Sequence, residues 1–283
     1  MSLIILRECN IGITSGDTDL WLDTISEVSL NNRVSRTLIP RKNLFNRSNA
    51  QAVIHKNNDT TTGTFTCYLT NGFAESLLFT LLGCEVYESG FVVPTIIPDI
   101  PNYLPAKFLI TSKDNAYEIS DVVVTSVTFP LGKGYAGEIQ VSFEGGEMVQ
   151  VPRKFTQVIN TSQDTHLPIS PLELIFDDIS YQPISANINI AQNIHWSNSN
   201  SIYDNLNVRR PIISGHSVNV TTTQYHKQES ILPSFENIII KQGSFILSME
   251  QSSITRRIGV EEDIVTLSCD IQPTINMPTI QII

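Results

Sequence analysis

Short stretches of alternating apolar and polar residues dominate the pattern along the chain. In residues 62–70, TGTFTCYLT, the side chains of Phe65, Cys67 and Leu69 fall on one face and polar ones on the other, as in a half-buried strand. Further strands are predicted at 25–40, 107–111, 117–131, 138–145, 184–196, 216–225, within 237–258 and at 262–273. The turns at 113–115 and 132–134 separate the three strands of 107–145, and the last two, 119–131 and 138–143, are predicted to form an antiparallel hairpin. The pattern therefore predicts a mainly β protein.

One segment, NGFAESLLFTLLG at 71–83, has helical spacing instead. Asn71 is suited to the N-cap, Glu75 to the first turn and Gly83 to the C-terminal stop. These signals predict a helix over about 73–82 that covers the flank of a β unit. Its predicted packing face consists of Phe73, Leu77, Leu78, Leu81 and Leu82.

The second half of the chain repeats the order of elements in the first. A strand, a long polar loop, a second strand, a gap and three further strands occur in both halves, although the helix has no counterpart in the second. A repeat of this length predicts two copies of one domain. We predict a first β-barrel or sandwich at 1–150, a linker at 151–171 and a second at 172–283. The loops are predicted at 41–63 and 197–215.

Composition and charge narrow the range of possible functions. Charged residues make up 16% of the 283 residues and the net charge is -10, which argues against a groove that grips nucleic acid. No stretch has the roughly 18 to 20 consecutive apolar residues that a membrane-spanning helix needs, and the N-terminal segment does not resemble a signal peptide. The four cysteines lack metal-site spacing, so we expect buried, reduced thiols.

Catalytic, cofactor and metal motifs are not recognised. The GKG at 132–134 lies between strands, so it is predicted to be a hairpin turn and not a phosphate loop. His195, His216 and His226 accompany no nucleophile motif and are expected in loops or at the surface. Phosphate binding is less favoured in an acidic chain for two pairs of arginines, which are instead expected to pair with carboxylates across subunit interfaces: Arg209 with Arg210, and Arg256 with Arg257. We therefore expect no enzyme activity, cofactor or metal.

The segment GTFTCYLTNGFAESLLFTLLG, followed by YEISDVVVTSVTFPLGKGYAGEIQVSFEGG, resembles the tail tube proteins of long-tailed bacteriophages. The matching positions are Leu81, Leu82, Gly83 and then Ser142, Phe143 and Gly145. The resemblance covers about residues 60–146 directly, and the second half only through the repeat. It implies tandem antiparallel β-barrels or sandwiches, the first with a flanking helix.

The resemblance also implies an assembly. Subunits of that family join edge to edge into rings, so a chain with two copies is expected to form a homotrimeric, pseudo-hexameric ring. Rings stack into a tube through which DNA is delivered without specific binding. Long loops reach the next ring, and the residues expected to do so here are Leu44, Phe45, Arg47, Ile54, Ile202, Tyr203, Arg209 and Arg210.

The implied partners are other copies of the chain and other tail proteins such as sheath, tape measure, baseplate or terminator proteins. The implied location is the virion, after synthesis in the host cytoplasm, with no membrane partner. Two alternatives remain open: a tube initiator or distal baseplate hub of the same fold, and a carbohydrate- or receptor-binding β-sandwich.

Overall fold

The structure, a computed structural model, describes most of the chain. The described residues are 2–6, 9–15, 18–23, 27–40, 52–70, 75–87, 90–94, 106–112, 115–134, 137–152, 170–176, 179–198, 209–225, 235–261 and 264–282. Among them, no helix is long and apolar enough to span a membrane.

The described residues form strands and one short helix, which confirms the mainly β fold class. The elements of the first half are β1 (Ser2–Leu6), β2 (Asn10–Ser15), β3 (Thr18–Asp23), β4 (Val28–Pro40), β5 (Ala52–Tyr68), α1 (Ser76–Leu81), β6 (Cys84–Val86), β7 (Phe91–Pro94), β8 (Ala106–Thr111), β9 (Ala116–Gly132), β10 (Glu138–Gly145) and β11 (Met148–Val151). Those of the second half are β12 (Leu172–Phe176), β13 (Ile179–Tyr181), β14 (Ser185–Asn198), β15 (Arg209–Tyr225), β16 (Phe235–Gln242), β17 (Phe245–Glu261), β18 (Ile264–Pro273) and β19 (Thr279–Ile282).

The main sheet runs through both halves of the chain. Its strands pair antiparallel in the order β1-β4-β5-β10-β9-β14-β15-β18-β17. Along these strands buried and exposed positions alternate, so one face is covered by protein and the other is open to solvent. We call this open side the polar face.

Two smaller groups of strands cover the main sheet. In the first half the order is β3-β2-β8-β9-β11. In the second half it is β13-β12-β16-β17-β19, and β19 also pairs with β7, which pairs with β6. The 17-residue strands β9 and β17 belong to both layers. Each is kinked at a bulge by a residue with positive φ, Asp121 (52°) or Gln251 (51°).

The strand arrangement of the first half thus recurs in the second. Strands β2, β3, β4, β5, β8, β9, β10 and β11 have the same mutual pairings as β12, β13, β14, β15, β16, β17, β18 and β19. Two strand pairings among the described residues join the parts of the chain on either side of the predicted linker: β9 pairs with β14, and β7 pairs with β19. The buried apolar residues of both halves form one continuous cluster.

The helix is shorter than predicted. It begins after Glu75, which occupies the N-cap position, and Gly83 follows it with φ of 76°, as expected for a C-terminal stop. Asn71 lies outside the described residues. Glu75, predicted in the first turn, is buried, and its carboxylate accepts hydrogen bonds from the backbone N–H and the hydroxyl of Thr70, at 3.1 and 3.0 Å.

The predicted loops were wrong at their C-terminal ends. Residues 52–63 belong to β5 and residues 209–215 to β15. Of these, residues 52–57 form a two-stranded ribbon with β4 and residues 209–213 form one with β14, whereas residues 61–63 also pair with β10 in the main sheet. Their Asn- and Thr-rich composition hid the alternation, since neither face of a ribbon outside the main sheet needs to be apolar. Strands β1, β2, β3, β6, β7, β11, β12, β13 and β19 were not predicted.

Candidate assembly interface

A strand joint connects the two halves of the chain. Residues 126–132 of β9 lie opposite residues 185–191 of β14, in antiparallel register. On the polar face, the Thr128 hydroxyl donates a 3.0 Å hydrogen bond to Oδ1 of Asn189. On the covered face, Phe129 lies opposite Ile188 and both side chains are completely buried. The joint is therefore packed on one face and hydrogen-bonded on the other.

Aromatic rings pack beneath this joint. The ring of Phe129 stacks on that of Phe79 in α1, with centroids 6.0 Å apart, and lies 4.9 Å from the ring of Phe245 in β17. Such ring pairs add about 0.5 to 1.5 kcal/mol beyond the area they bury. Phe79 was not included in the predicted packing face of the helix, yet its ring stacks on that of Phe129 in the joint.

Polar side chains of the second half bind the C-terminal end of α1. The amide of Gln192 donates a 3.0 Å hydrogen bond to the carbonyl oxygen of Leu81 and another to that of Val124. Nε2 of His216 lies 2.7 Å from the carbonyl oxygen of Leu82. The last carbonyls of a helix lack partners within it, so these contacts satisfy them. The helix therefore packs at the joint between the halves.

Strand β7 forms a second contact between the halves. Val92 lies opposite Ile280 of β19, and the N–H of Ile282 donates a 3.1 Å hydrogen bond to the carbonyl oxygen of Gly90. A Cβ atom on Gly90 would lie 2.3 Å from the carbonyl oxygen of Ile282, and its φ is 77°. Glycine is required here by both the close approach and the backbone conformation.

The last seven residues of β17, Thr255–Glu261, correspond to the part of β9 that forms the joint. The correspondence follows from cross-strand partners: Ser126 pairs with Ser142 of β10, and Thr255 pairs with Asp270 of β18. In β17 this stretch pairs with β18 on one side, and no described strand pairs along its other side. We call this side the outer edge of β17.

Two apolar side chains are exposed at that edge. Ile258 corresponds to Phe129 but is 66% exposed, and Val260 corresponds to Leu131 but is 68% exposed. A strand that has one unpaired edge and exposed apolar residues is a template for pairing with another chain. The outer edge of β17 is thus the strongest candidate for an intermolecular contact.

At the opposite end of the sheet, β1 pairs with β4. It lies against residues 28–32, which correspond to the stretch of β14 that receives β9. Leu30 of β4 lies opposite Ile4, as Ile188 lies opposite Phe129 in the joint. Strand β1 therefore occupies on β4 the place that β9 occupies on β14.

The polar face consists largely of uncharged side chains. One row across five neighbouring strands contains Thr66, Gln140, Thr128, Asn189 and Asn219. Hydrogen bonds link its members to neighbours, as in the 3.1 Å bond from Gln272 to Asn219. Two adjacent charges neutralise each other, because Arg257 lies 3.3 Å from Asp270 within the chain. The contact of Arg257 across a subunit interface remains a prediction.

The structure describes only some of the residues predicted to reach another ring. Ile54 lies in β5 opposite Leu38, and Arg209 and Arg210 lie in β15 opposite Asn198 and Ser197. They belong to ribbons and not to loops. The other five, Leu44, Phe45, Arg47, Ile202 and Tyr203, lie outside the described residues. The contact with another ring remains a prediction for all eight.

The structure describes most of the predicted packing face of the helix. Leu78, Leu81 and Leu82 are buried in the core, and Leu77 is partly buried against it. Phe73 lies outside the described residues.

Residues considered for chemistry have structural positions. All four cysteines are buried thiols, as expected, and burial raises the pKa of Cys84 to about 12 and that of Cys9 to about 11. His216 was expected at the surface but is buried in β15. His195 is exposed and His226 lies outside the described residues.

The outer edge of β17 was missed by sequence reasoning. A usable signal was present, since RRIGV at 256–260 has apolar residues at the same two places as VTFPL at 127–131. The edge becomes visible only when strand partners are known.

Comparison with known families agrees with this architecture. The bacteriophage baseplate tube protein family matches the chain over residues 1–283. No curated protein matches it. The chain therefore belongs to the bacteriophage baseplate tube protein family and is a structural protein of the phage tail or baseplate.

Proposed function

We propose that the protein forms closed rings that build the tube through which phage DNA is delivered. The observation that carries the proposal is the outer edge of β17, where Ile258 and Val260 are exposed at positions that are buried in the β9–β14 joint. Pairing this edge with the other end of the sheet in a second copy continues the same sheet between chains. Closure into a ring leaves no edge of the main sheet unpaired.

Geometry suggests three chains per ring. We propose that the chain is a tandem of two tube-like domains, which the recurring strand pairings support. Each domain supplies four strands to the ring: β4, β5, β10 and β9 in the first, and β14, β15, β18 and β17 in the second. Three chains of eight strands give 24 strands in a pseudo-sixfold ring. With strands about 4.8 Å apart and tilted by about 40°, the ring is about 50 Å across.

The polar face is assigned to the lumen. Its Ser, Thr, Asn and Gln side chains are well hydrated and carry little charge, so they offer DNA few cations to bind. The net charge of -10 further weakens attraction to phosphate. DNA then passes without being held.

The two ribbons are assigned to contacts between stacked rings. The first, residues 35–40 with 52–57, extends past the residues of β5 that pair with β10. The second, residues 194–198 with 209–213, extends in the same way beyond the β9–β14 joint. Ile54, Arg209 and Arg210 lie in these ribbons. Neighbouring tail proteins, including baseplate, sheath, tape measure or terminator proteins, are the proposed partners at the ends of the stack.

This function is structural and we propose no catalysis. The protein is made in the host cytoplasm and then incorporated into the virion. The family match does not favour a carbohydrate- or receptor-binding sandwich. Long filaments of purified protein would identify a repeating tube subunit, whereas discrete rings would identify a tube initiator or distal hub.

Substitution of the exposed edge tests the proposal. The double variant Ile258→Asp with Val260→Asp should fold, because both side chains are exposed, but should remain monomeric in analytical ultracentrifugation. The matched control is Ile275→Asp, since Ile275 is 62% exposed away from this edge. The control should assemble like the wild type. Normal assembly of the double variant would refute edge pairing through β17.

A further inference from the structure

Strand β1 matches the stretch of β9 that enters the joint. Both lie antiparallel to their partner, and position by position Ser2–Leu6 (SLIIL) corresponds to Val127–Leu131 (VTFPL). Apolar residues stand at the third and fifth places of both segments. In β1 these places are opposite Leu30 and Val28 of β4.

The outer edge of β17 has the same pattern. Arg256–Val260 (RRIGV) is the third segment of this kind, with Ile258 and Val260 at the third and fifth places. Applying the register of the β9–β14 joint to a second copy puts Ile258 opposite Leu30 and Val260 opposite Val28. Strand β17 of a neighbour and β1 of the same chain thus fit one place on β4.

We infer that β1 is an intramolecular substitute for β17, and that β17 of a second copy displaces it from β4 when the ring closes. The inference rests on the proposed ring assembly and names the segment that must move. While β1 is in place, the edge of β4 is protected and the unassembled chain is kept from pairing with other sheets.

Length and burial favour the exchange. Strand β1 forms five residue pairs with β4, whereas β9 forms seven with β14 and the corresponding stretch of β17 offers seven. The exchange also removes the exposed side chains of Ile258 and Val260 from water. Burial of Ile258 and Val260 occurs only when β17 of a second copy pairs with β4, so displacement of β1 is coupled to assembly.

Disulfide cross-links report which strand occupies β4. The pair Ile5→Cys with Ser29→Cys joins residues that lie opposite each other in β1 and β4. The pair Ser29→Cys with Gly259→Cys joins two chains in the proposed register, and Gly259 has space for a Cβ atom. Opposite residues in antiparallel strands lie about 4.5 to 5.5 Å apart at Cα, within disulfide range. The control pair, Thr128→Cys with Asn189→Cys, spans the internal joint.

The expected result is an exchange of cross-links. Unassembled protein should form the disulfide between positions 5 and 29 within one chain, and once this bond is closed the protein should not assemble until it is reduced. Assembled protein should instead form the disulfide between positions 29 and 259 of two chains. The control should cross-link in both states and assemble normally.

Two results would overturn the inference, and they differ. If the protein assembles while positions 5 and 29 remain cross-linked, β1 is not displaced, although ring formation itself stands. If wild-type protein stays monomeric by ultracentrifugation and no pair joins two chains, the proposed ring assembly fails and the inference fails with it.

Discussion

Phe129 of β9 and Ile258 of β17 occupy corresponding places in the two halves of the chain, yet Phe129 is fully buried and Ile258 is 66% exposed. The difference arises because β14 pairs with β9, whereas no described residue pairs with the outer edge of β17. One strand joint is therefore complete within the chain, and we propose that an equivalent one is completed by a second molecule.

Introducing charge into the packed face of α1 should destabilise the folded chain. In the double variant Leu78→Asp with Leu81→Asp, two fully packed leucines become carboxylates without partners. Truncating one buried leucine already costs about 2 to 5 kcal/mol, so the variant should be insoluble or melt at a much lower temperature. Thermal unfolding followed by circular dichroism measures this. Thr80→Asp, on the exposed side of α1, is the matched control, and an equal loss of stability in both would contradict the packing described.

Removing the hydrogen bonds to the end of α1 should weaken the joint without destroying the fold. In Gln192→Ala, the buried carbonyls of Leu81 and Val124 lose a donor, which should lower the free energy of unfolding by about 1 to 3 kcal/mol. Urea denaturation measures the change. Asn193→Ala, at the neighbouring exposed position, should change it by less than about 0.5 kcal/mol. A Gln192→Ala variant as stable as the control would rule out this contribution.

Gly63 should not tolerate a side chain while Phe143 is present. A Cβ atom at Gly63 would lie 2.4 Å from Cζ of Phe143 and 2.9 Å from Cδ2 of Leu30. In the second half, Val220 and Ile271 occupy the corresponding places. Gly63→Val should therefore cost about 1 to 3 kcal/mol by overpacking.

Adding Phe143→Ile to Gly63→Val should restore part of that stability, since it reproduces the pair found in the second half. Urea denaturation of the two single variants and the double variant gives the coupling between the sites. Additive losses would show that the two halves do not share this packing solution.

Shortening the first ribbon should abolish stacking and spare the ring. The change replaces residues 36–56 by an Asn-Gly turn that joins Ser35 to Asn57, which lie opposite each other in β4 and β5. Electron microscopy should show single rings in place of stacked ones, because the proposed contact with the next ring is removed. A second variant, in which the second ribbon is replaced by a turn in the same way, serves for comparison. Stacks of normal length from the shortened protein would disprove the role assigned to this ribbon.

Local pattern was sufficient to predict much of the fold. Alternation correctly identified Phe65 and Cys67 as the buried side of β5 and Leu69, the residue after it, as buried, and Gly83 correctly marked the end of α1. The ribbons were misread because residues outside the main sheet need no apolar face. Strand β1 was missed because five mostly apolar residues, SLIIL, have no alternation to detect.

The candidate interface required strand partners. Ile258 and Val260 look like ordinary buried strand residues in the sequence, and only the pairing of β17 with β18 on one side reveals that they are exposed. Likewise, Gln192 and His216 belong to no sequence motif. Their contacts with the carbonyl oxygens at the C-terminal end of α1 become apparent only when the packing of α1 at the joint is known. Long-range pairing of this kind is not encoded in local periodicity.

The native mass of the smallest closed assembly tests the central claim most directly. Native mass spectrometry of the purified protein should give a ring of three chains, each of 31.5 kDa, and the Ile258→Asp with Val260→Asp variant should give only single chains. A closed ring of six chains, or a wild-type protein that remains a single chain under all conditions, would contradict the account.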